Sequence, residues 1–448
     1  MNKTNDDSSM ILKYYKGTVL IEGDYNVPNS KWDSKTKCFR AEAFHYRDII
    51  EYLENSNIQY KNLVLDLISC PEFTSNVKLR AYQKKAVEQW FAQKKGVIVM
   101  PTGSGKTILA IKIIEKINSP TLVVVPTLSL VKQWKEKLAE VFSIEIGEYT
   151  GEKKELKALT VSTYDSAFIN AEHLGNKYML LVFDEVHHLP SEGYRQIAEM
   201  FASPFRLGLT ATFERADGLH SELPRLIGGK ICEIKTNDLT GKYLANYEVI
   251  RIGILLTQEE KAEYEANVNK FKAFLLSNNI LMKNANDFKK LVIFSGRDPG
   301  AREALLSKSK SEKIAYNSKN KLEKISELLH KSNRTIIFTK YNDMAYDISK
   351  KFFIPCITHK TNKDERDVIL DKFKKGIYSV IVSSQVLNEG IDVPDANVGV
   401  IVSGTGSSRE FVQRLGRLLR PKEGKKAILY ELVSKGTKEV KTANKRKK

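Results

Sequence analysis

The run Pro101-Thr102-Gly103-Ser104-Gly105-Lys106-Thr107 combines glycines, hydroxyls and a lysine at the spacing that closes around phosphate. Glycines let the chain turn so that backbone N–H groups face an anion, and a helix beginning at the end of the run adds the positive end of its dipole. Thr102, Gly103, Ser104 and Gly105 would form the cradle. Lys106 would reach the β- and γ-phosphates of a nucleoside triphosphate, and the Thr107 hydroxyl would ligate Mg²⁺. The run departs from G-x-x-x-x-G-K-[ST] in one place, where Met100 stands for the first glycine. The bland alternative is a chance Gly-rich turn. The apolar run before it and the helical pattern after it argue against that.

A second group is Asp184-Glu185-Val186-His187-His188, directly after the apolar residues 179–183. Carboxylates at a strand end are costly without a partner or a task. Asp184 would complete the Mg²⁺ shell, and Glu185 would orient or deprotonate an attacking water. Two acids here could also be a helix-start preference, but the phosphate-binding run makes that the lesser reading. The two histidines are expected to point apart, and no zinc is expected. A third group lies late in the chain, where Arg417 and Arg420 stand three apart and share one helix face. They could simply be solvated. Facing a triphosphate across a cleft, they would stabilise charge on the γ-phosphate and be worth about 10³–10⁵ in rate.

The elements that must position these groups follow from the hydrophobic pattern. Strands are expected at residues 96–100, 121–125, 158–161, 179–183 and 206–209, with helices over 79–91 and 107–117. Near-continuous apolar strands alternating with helices mean a parallel sheet covered on both faces. A second such unit has expected strands at 335–338, 379–382, 398–402 and 427–432. Between the two runs a charged helical stretch whose Phe271, Phe274, Leu275 and Ile280 read first as packing. The start mixes a strand at 17–21, a turn at 24–28 and a helix at 44–53, an α+β module without catalytic residues. The Lys-rich end is expected to be disordered.

The 448 residues carry a formal net charge of +18, and 42% are hydrophobic. The core is therefore ample, and the surplus of Lys and Arg favours a polyanion, with nucleic acid the default. The four cysteines, Cys38, Cys70, Cys232 and Cys356, form no C-x-x-C pair. Zinc and iron–sulfur ligation lose their spacing signal, and the thiols read as reduced ones in a cytoplasmic protein. No apolar run reaches membrane-spanning length, and the polar start is not a signal peptide.

In this order the blocks resemble superfamily 2 helicases. Leu79-Arg80-Ala81-Tyr82-Gln83 is similar to the adenine-reading motif, Val125-Pro126-Thr127 and Ser162-Thr163-Tyr164 to the DNA-backbone motifs, and Leu209-Thr210-Ala211-Thr212 to the motif coupling hydrolysis to DNA. Ile337-Phe338-Thr339, Gln385 to Asp392, and Val412-Gln413-Arg414-Leu415-Gly416-Arg417 match second-lobe motifs. The Asp-Glu-Val-His-His form and the segment Thr212 to Gly218 resemble the XPB family, whose Arg-Glu-Asp element is linked to strand separation; here Ala216 stands between Arg215 and Asp217. The resemblance implies nucleotide contacts from Arg80, Gln83, Gly390, Asp392 and Gln413, and DNA contacts from Thr127, Thr163, Thr339, Arg215 and Asp217. It implies two RecA-like parallel-sheet lobes, at 74–255 and 321–434, with a damage-recognition-like domain at 1–73, a helical thumb at 256–320 and a basic flexible tail at 435–448.

The expected function is then an ATP- and Mg²⁺-dependent 3′-to-5′ DNA helicase or translocase of nucleotide excision repair. Its substrate would be single-stranded, forked or duplex DNA, its partner a nuclease. The alternatives are a remodeller of duplex DNA that does not separate strands, and a repair scaffold whose ATPase only switches its grip.

Overall fold

The computed structural model describes residues 10–445 apart from 24–25, 216, 240–245, 283–284, 330–332, 385–395 and 405–425. The chain divides into two compact units, one over Met1–Leu239 and one built from residues after 239.

The first unit opens with a five-stranded sheet in the order Lys31–Asp33, Cys38–Glu42, Thr18–Glu22, Met10–Tyr15, Tyr60–Leu63. Alternate residues Met10, Leu12, Val19 and Ile21 face a core closed by Ile49 and Leu53 of the helix Tyr46–Asn55. The module is fastened to the large sheet beside it. The Tyr14 hydroxyl donates to the carbonyls of Ala171 (3.1 Å) and Met200 (3.0 Å), and Ala202 enters the module's core. Burial raises the Tyr14 phenol far above its ordinary range.

The large sheet has eight strands, in the order Lys230–Glu233, Lys95–Val99, Phe205–Thr210, Leu180–Asp184, Thr121–Val125, Leu159–Thr163, Gly147–Tyr149, Lys154–Glu155. All pairs are parallel except the last. Successive side chains of a strand point to opposite faces. Ile98, Val123, Val125 and Val182 accordingly join one core with Trp90, Ile113 and Leu138, while Val97, Val99, Val124 and Phe183 join the other with Ala167, Ile197 and Leu226. Covering both faces is why these strands read as unbroken apolar runs.

The second unit holds a six-stranded, all-parallel sheet, in the order Asn246–Ile254, Lys426–Ser434, Val398–Ile401, Thr335–Thr339, Val380–Ser384, Cys356–Ile357. Two differences from the sequence reading appear here. The first lobe was expected to run to residue 255, yet Asn246–Ile254 is a strand of this second sheet, paired along its length with Lys426–Ser434. Its partner lies far along the chain, and no local pattern announces it. The tail was expected to be disordered, yet Lys438–Lys445 is a helix. It is pinned by charge: Lys321 and Glu439 are fully buried and bonded at 2.7 Å, and Arg251 bonds Glu431, Asn444 and the carbonyl of Ala443.

The helical stretch comprises Gln258–Ser277, Ala285–Phe294 and Pro299–Tyr316. Its stripe is packing, as expected: Phe271 is buried with Leu291, Ala301 and Ala304, and Phe274, Leu275 and Ile280 lie against them. Among the described residues no helix is long and apolar enough to cross a membrane. The four cysteines are free thiols.

Candidate active site

The phosphate-binding run joins the buried strand Lys95–Val99 to the helix Lys106–Ile117. Met100 fills the missing glycine's place without strain. Its φ is not positive, its side chain is fully buried in the core, and its N–H donates to Thr210 O at 2.9 Å. Its carbonyl accepts from Lys106 Nζ at 3.2 Å, so the lysine lies folded across its own loop. Gly103 and Gly105 have φ of +81° and +86°, a region that only glycine enters without strain. A Cβ on Gly105 would also stand 2.6 Å from Gln83 Nε2. The Ser104 hydroxyl ties the loop by donating to Pro101 O at 2.6 Å. The buried Thr102 hydroxyl has no hydrogen-bond partner among the described residues. With the first-turn N–H groups of the following helix, that hydroxyl suits the loop to a polyphosphate.

Behind the loop, Gln83 is 3% exposed. Its Nε2 donates to the carbonyls of Ser104 and Gly105, both at 3.2 Å, and its Oε1 accepts from the N–H of Arg80 at 2.9 Å. Both ends of the amide therefore serve the loop and the helix start. Tyr82, which the sequence reading left without a task, donates to Ser104 O at 2.6 Å and accepts from Arg80 Nη1 at 3.3 Å.

The acid pair closes the strand Leu180–Asp184. Asp184 is 7% exposed, and its oxygens each take one bond, Oδ2 from Trp134 Nε1 at 2.9 Å and Oδ1 from the N–H of Glu185 at 3.0 Å. Its carbonyl accepts from the buried Tyr164 hydroxyl, whose ionisation burial suppresses. A carboxylate has about four lone-pair positions, so acceptor capacity remains for a cation. Hydroxyl and carboxylate oxygens, as on Thr107 and Asp184, suit Mg²⁺.

Glu185 adopts φ of 50°, a left-handed conformation that costs a non-glycine residue about 1–3 kcal/mol and is found where position matters. A one-turn 3₁₀ helix, Val186–His188, follows. Against expectation the two histidine rings do not point apart; their centroids are 4.4 Å from each other. The tight turn brings them together. His187 is fully buried, with Nδ1 3.1 Å from Thr210 Oγ1 and 3.4 Å from Glu185 Oε2. The Thr210 hydroxyl already donates to Thr212 O at 2.8 Å, so it accepts here and His187 carries its proton on Nδ1.

The phosphate loop, Thr210, Asp184, Thr127 and Thr163 close or follow neighbouring parallel strands, all at one end of the sheet. Open parallel sheets bind ligands at that edge. Thr127 and Thr163 cap the helices beginning at Leu128 and Tyr164, accepting from Leu130 N (3.3 Å) and Ser166 N (3.2 Å). Thr339, expected at DNA, is fully buried in its own unit and donates to Tyr341 O at 3.0 Å. It shapes a turn and presents no surface, because a strand-end threonine can spend its hydroxyl on the chain. Arg215 and Asp217 are bound to each other, Nε to Oδ1 at 2.9 Å and Nη2 to Oδ2 at 2.7 Å. Ala216, Gly390, Asp392, Gln413, Arg417 and Arg420 lie outside the described residues.

Missed by the sequence reading were Trp134, Tyr164 and His187 as supports of the acids. Trp134 looks like an ordinary core aromatic in one dimension, while Tyr164 and His187 stood inside motifs whose tasks were given to their neighbours.

Comparison with known proteins agrees with this geometry. Residues 12–64 match the Xeroderma pigmentosum group B helicase damage recognition domain, 76–215 the type III restriction enzyme res subunit, and 320–422 the helicase conserved C-terminal domain. The chain is 46% identical to the DNA 3′-5′ translocase XPB2 of Sulfurisphaera tokodaii, over 97% of this chain and 99% of that one. It is 31% identical to the DNA 3′-5′ helicase XPB of Mycobacterium tuberculosis, over 80% of this chain but only 61% of that longer protein. The helicase domain of Pyrococcus furiosus Hef superposes with a TM-score of 0.54 at 19% identity, covering 83% of this chain and 98% of that one, which speaks to the fold alone. With its phosphate loop, acid pair and two parallel sheets in place, the chain belongs to the XPB family of superfamily 2 helicases.

Proposed function

We propose that this chain is an ATP-driven 3′-to-5′ DNA translocase that opens or remodels DNA in nucleotide excision repair, alongside a partner nuclease. The observation that supports it best is the shared sheet edge. Phosphate loop, Thr210, acid pair, Thr127 and Thr163 lie on adjoining strands, and strands stand about 4.8 Å apart. A change at the phosphate loop is thus three strands from Thr127 and four from Thr163.

In this reading ATP sits under Lys106, with the loop N–H groups on its phosphates. Thr107 and Asp184 would hold Mg²⁺, whose charge offsets that of the phosphate oxygens. Glu185 takes the proton of the attacking water. Arg417 and Arg420 act as fingers from the second lobe on transition-state charge. DNA is gripped through phosphates, so affinity falls steeply with salt and depends little on sequence.

The relative that is 46% identical is named a DNA 3′-5′ translocase, which supports movement along DNA as the activity. Ala216, in place of the family's acidic residue, favours movement without obligatory strand separation. Triplex displacement measured beside fluorescent strand separation on forked DNA tests this. Displacement that requires ATP, with little unwinding, is expected. Absence of both, despite DNA-stimulated hydrolysis, would replace the motor with an ATP-switched scaffold.

A further inference from the structure

We infer that Arg215 is a positioning residue that ties the turn carrying Glu185 to the loop after the strand Phe205–Thr210, and is not a DNA contact. This rests on the reading of Glu185 as the hydrolytic acid. Every side of the Arg215 guanidinium is engaged within the first unit. Nη1 donates to the backbone carbonyl of His187 and, at 3.5 Å, to Ser191 Oγ, while Nε and Nη2 grip both oxygens of Asp217. The side chain is 17% exposed. Its charge is matched at fork geometry by a carboxylate, so a passing phosphate meets a neutral pair.

The described residues on either side of Ala216 are tied to one another. The N–H of Arg215 donates to His220 Nδ1 at 3.1 Å, Leu219 N donates to Asp217 Oδ1 at 3.2 Å, and Gly218 takes φ of +78°. The hydrogen bonds of Arg215, with help from Leu219 N, hold the Asp217 carboxyl far below the usual carboxylate range. The Asp217 carboxylate therefore stays ionised at every working pH.

On the far side, His187 is held twice. Its ring lies between Glu185 and Thr210, and its carbonyl receives Arg215. Glu185 precedes it by two residues in a strained conformation that needs external support. Movement of the Arg215 loop is thus transmitted to the acid through the backbone of His187. A displacement of about 1 Å at a reacting group can lower a rate about 10²-fold.

The test compares Arg215→Ala, Arg215→Lys and Asp217→Asn in the full chain. The readouts are ATP hydrolysis without DNA, KM for ATP, DNA affinity, and amide hydrogen exchange of residues 185–189 without nucleotide. Arg215→Ala should lower kcat without DNA about tenfold or more, leaving KM and DNA affinity within about twofold. Lysine keeps the charge but cannot span His187 and Asp217, so Arg215→Lys should resemble Arg215→Ala. Should Arg215→Ala unfold, Asp217→Asn keeps the shape of the pair; it is expected to lower kcat without weakening DNA binding. Exchange at 185–189 should quicken in each variant. That readout needs no hydrolysis, so it tests the tie even if the wild type proves not to be an ATPase. Unchanged exchange, or unchanged kcat with DNA affinity lowered tenfold and restored by lysine, would overturn the inference.

Discussion

The indole N–H of Trp134 donates to Asp184 Oδ2 at 2.9 Å, inside a site where both residues are almost completely buried. With the Glu185 N–H on Oδ1, the bond fixes the orientation of the carboxylate. Groups of this kind, one step behind a metal-binding carboxylate, change affinity or activity by about 10–100-fold. Trp134→Phe keeps the ring in its pocket and removes the donor. It is expected to lower ATP hydrolysis about tenfold and to raise the Mg²⁺ concentration for half-maximal rate. A Mg²⁺ titration of the steady-state rate measures both. An unchanged curve would make the bond a packing detail.

Arg417→Ala and Arg420→Ala are expected to lose hydrolysis by about 10³ while an ATP analogue still binds within about tenfold of the wild type. Fingers act on charge that builds in the transition state, so the ground-state complex suffers less. Equilibrium titration with a fluorescent analogue checks this. Collapse of binding with the fold intact would assign them to the ground state.

The parts of the chain with short-range signatures could be read before any coordinates. The phosphate loop announces itself because its glycines, lysine and threonine are contiguous, and the acid pair because it interrupts an apolar strand. What stayed hidden depends on distance along the chain. Trp134 meets Asp184 across fifty residues, and Asn246–Ile254 finds its partner strand some 180 residues later. That Gln83 braces the loop through the carbonyls of Ser104 and Gly105 is likewise a contact that a sequence cannot show. The final segment looked disordered from its lysines, because one glutamate among them, Glu439, does the anchoring.

That anchor gives a stability prediction. Lys321 and Glu439 are both fully buried, and Lys321 also donates to the carbonyls of Tyr316 and Val402. Lys321→Met strands a buried carboxylate and is expected to cost about 3–5 kcal/mol. Combining it with Glu439→Leu should recover most of that loss, since replacing both partners by apolar groups removes the unpaired charge. Urea denaturation of the three variants in the full chain reads the shift. Equal losses for the single and the double variant would mean that the pair does not hold the C-terminal helix.

The most direct measurement is steady-state ATP hydrolysis by wild type, Glu185→Gln and Lys106→Ala, each without DNA and with single-stranded, duplex and forked DNA. The wild type should be stimulated by DNA. Glu185→Gln should lose about 10²–10⁴ in rate while still holding nucleotide, and Lys106→Ala should lose both hydrolysis and nucleotide affinity. Near-wild-type hydrolysis by Glu185→Gln, or a wild-type rate indifferent to every DNA, would contradict a DNA-driven ATPase built on this loop and this acid.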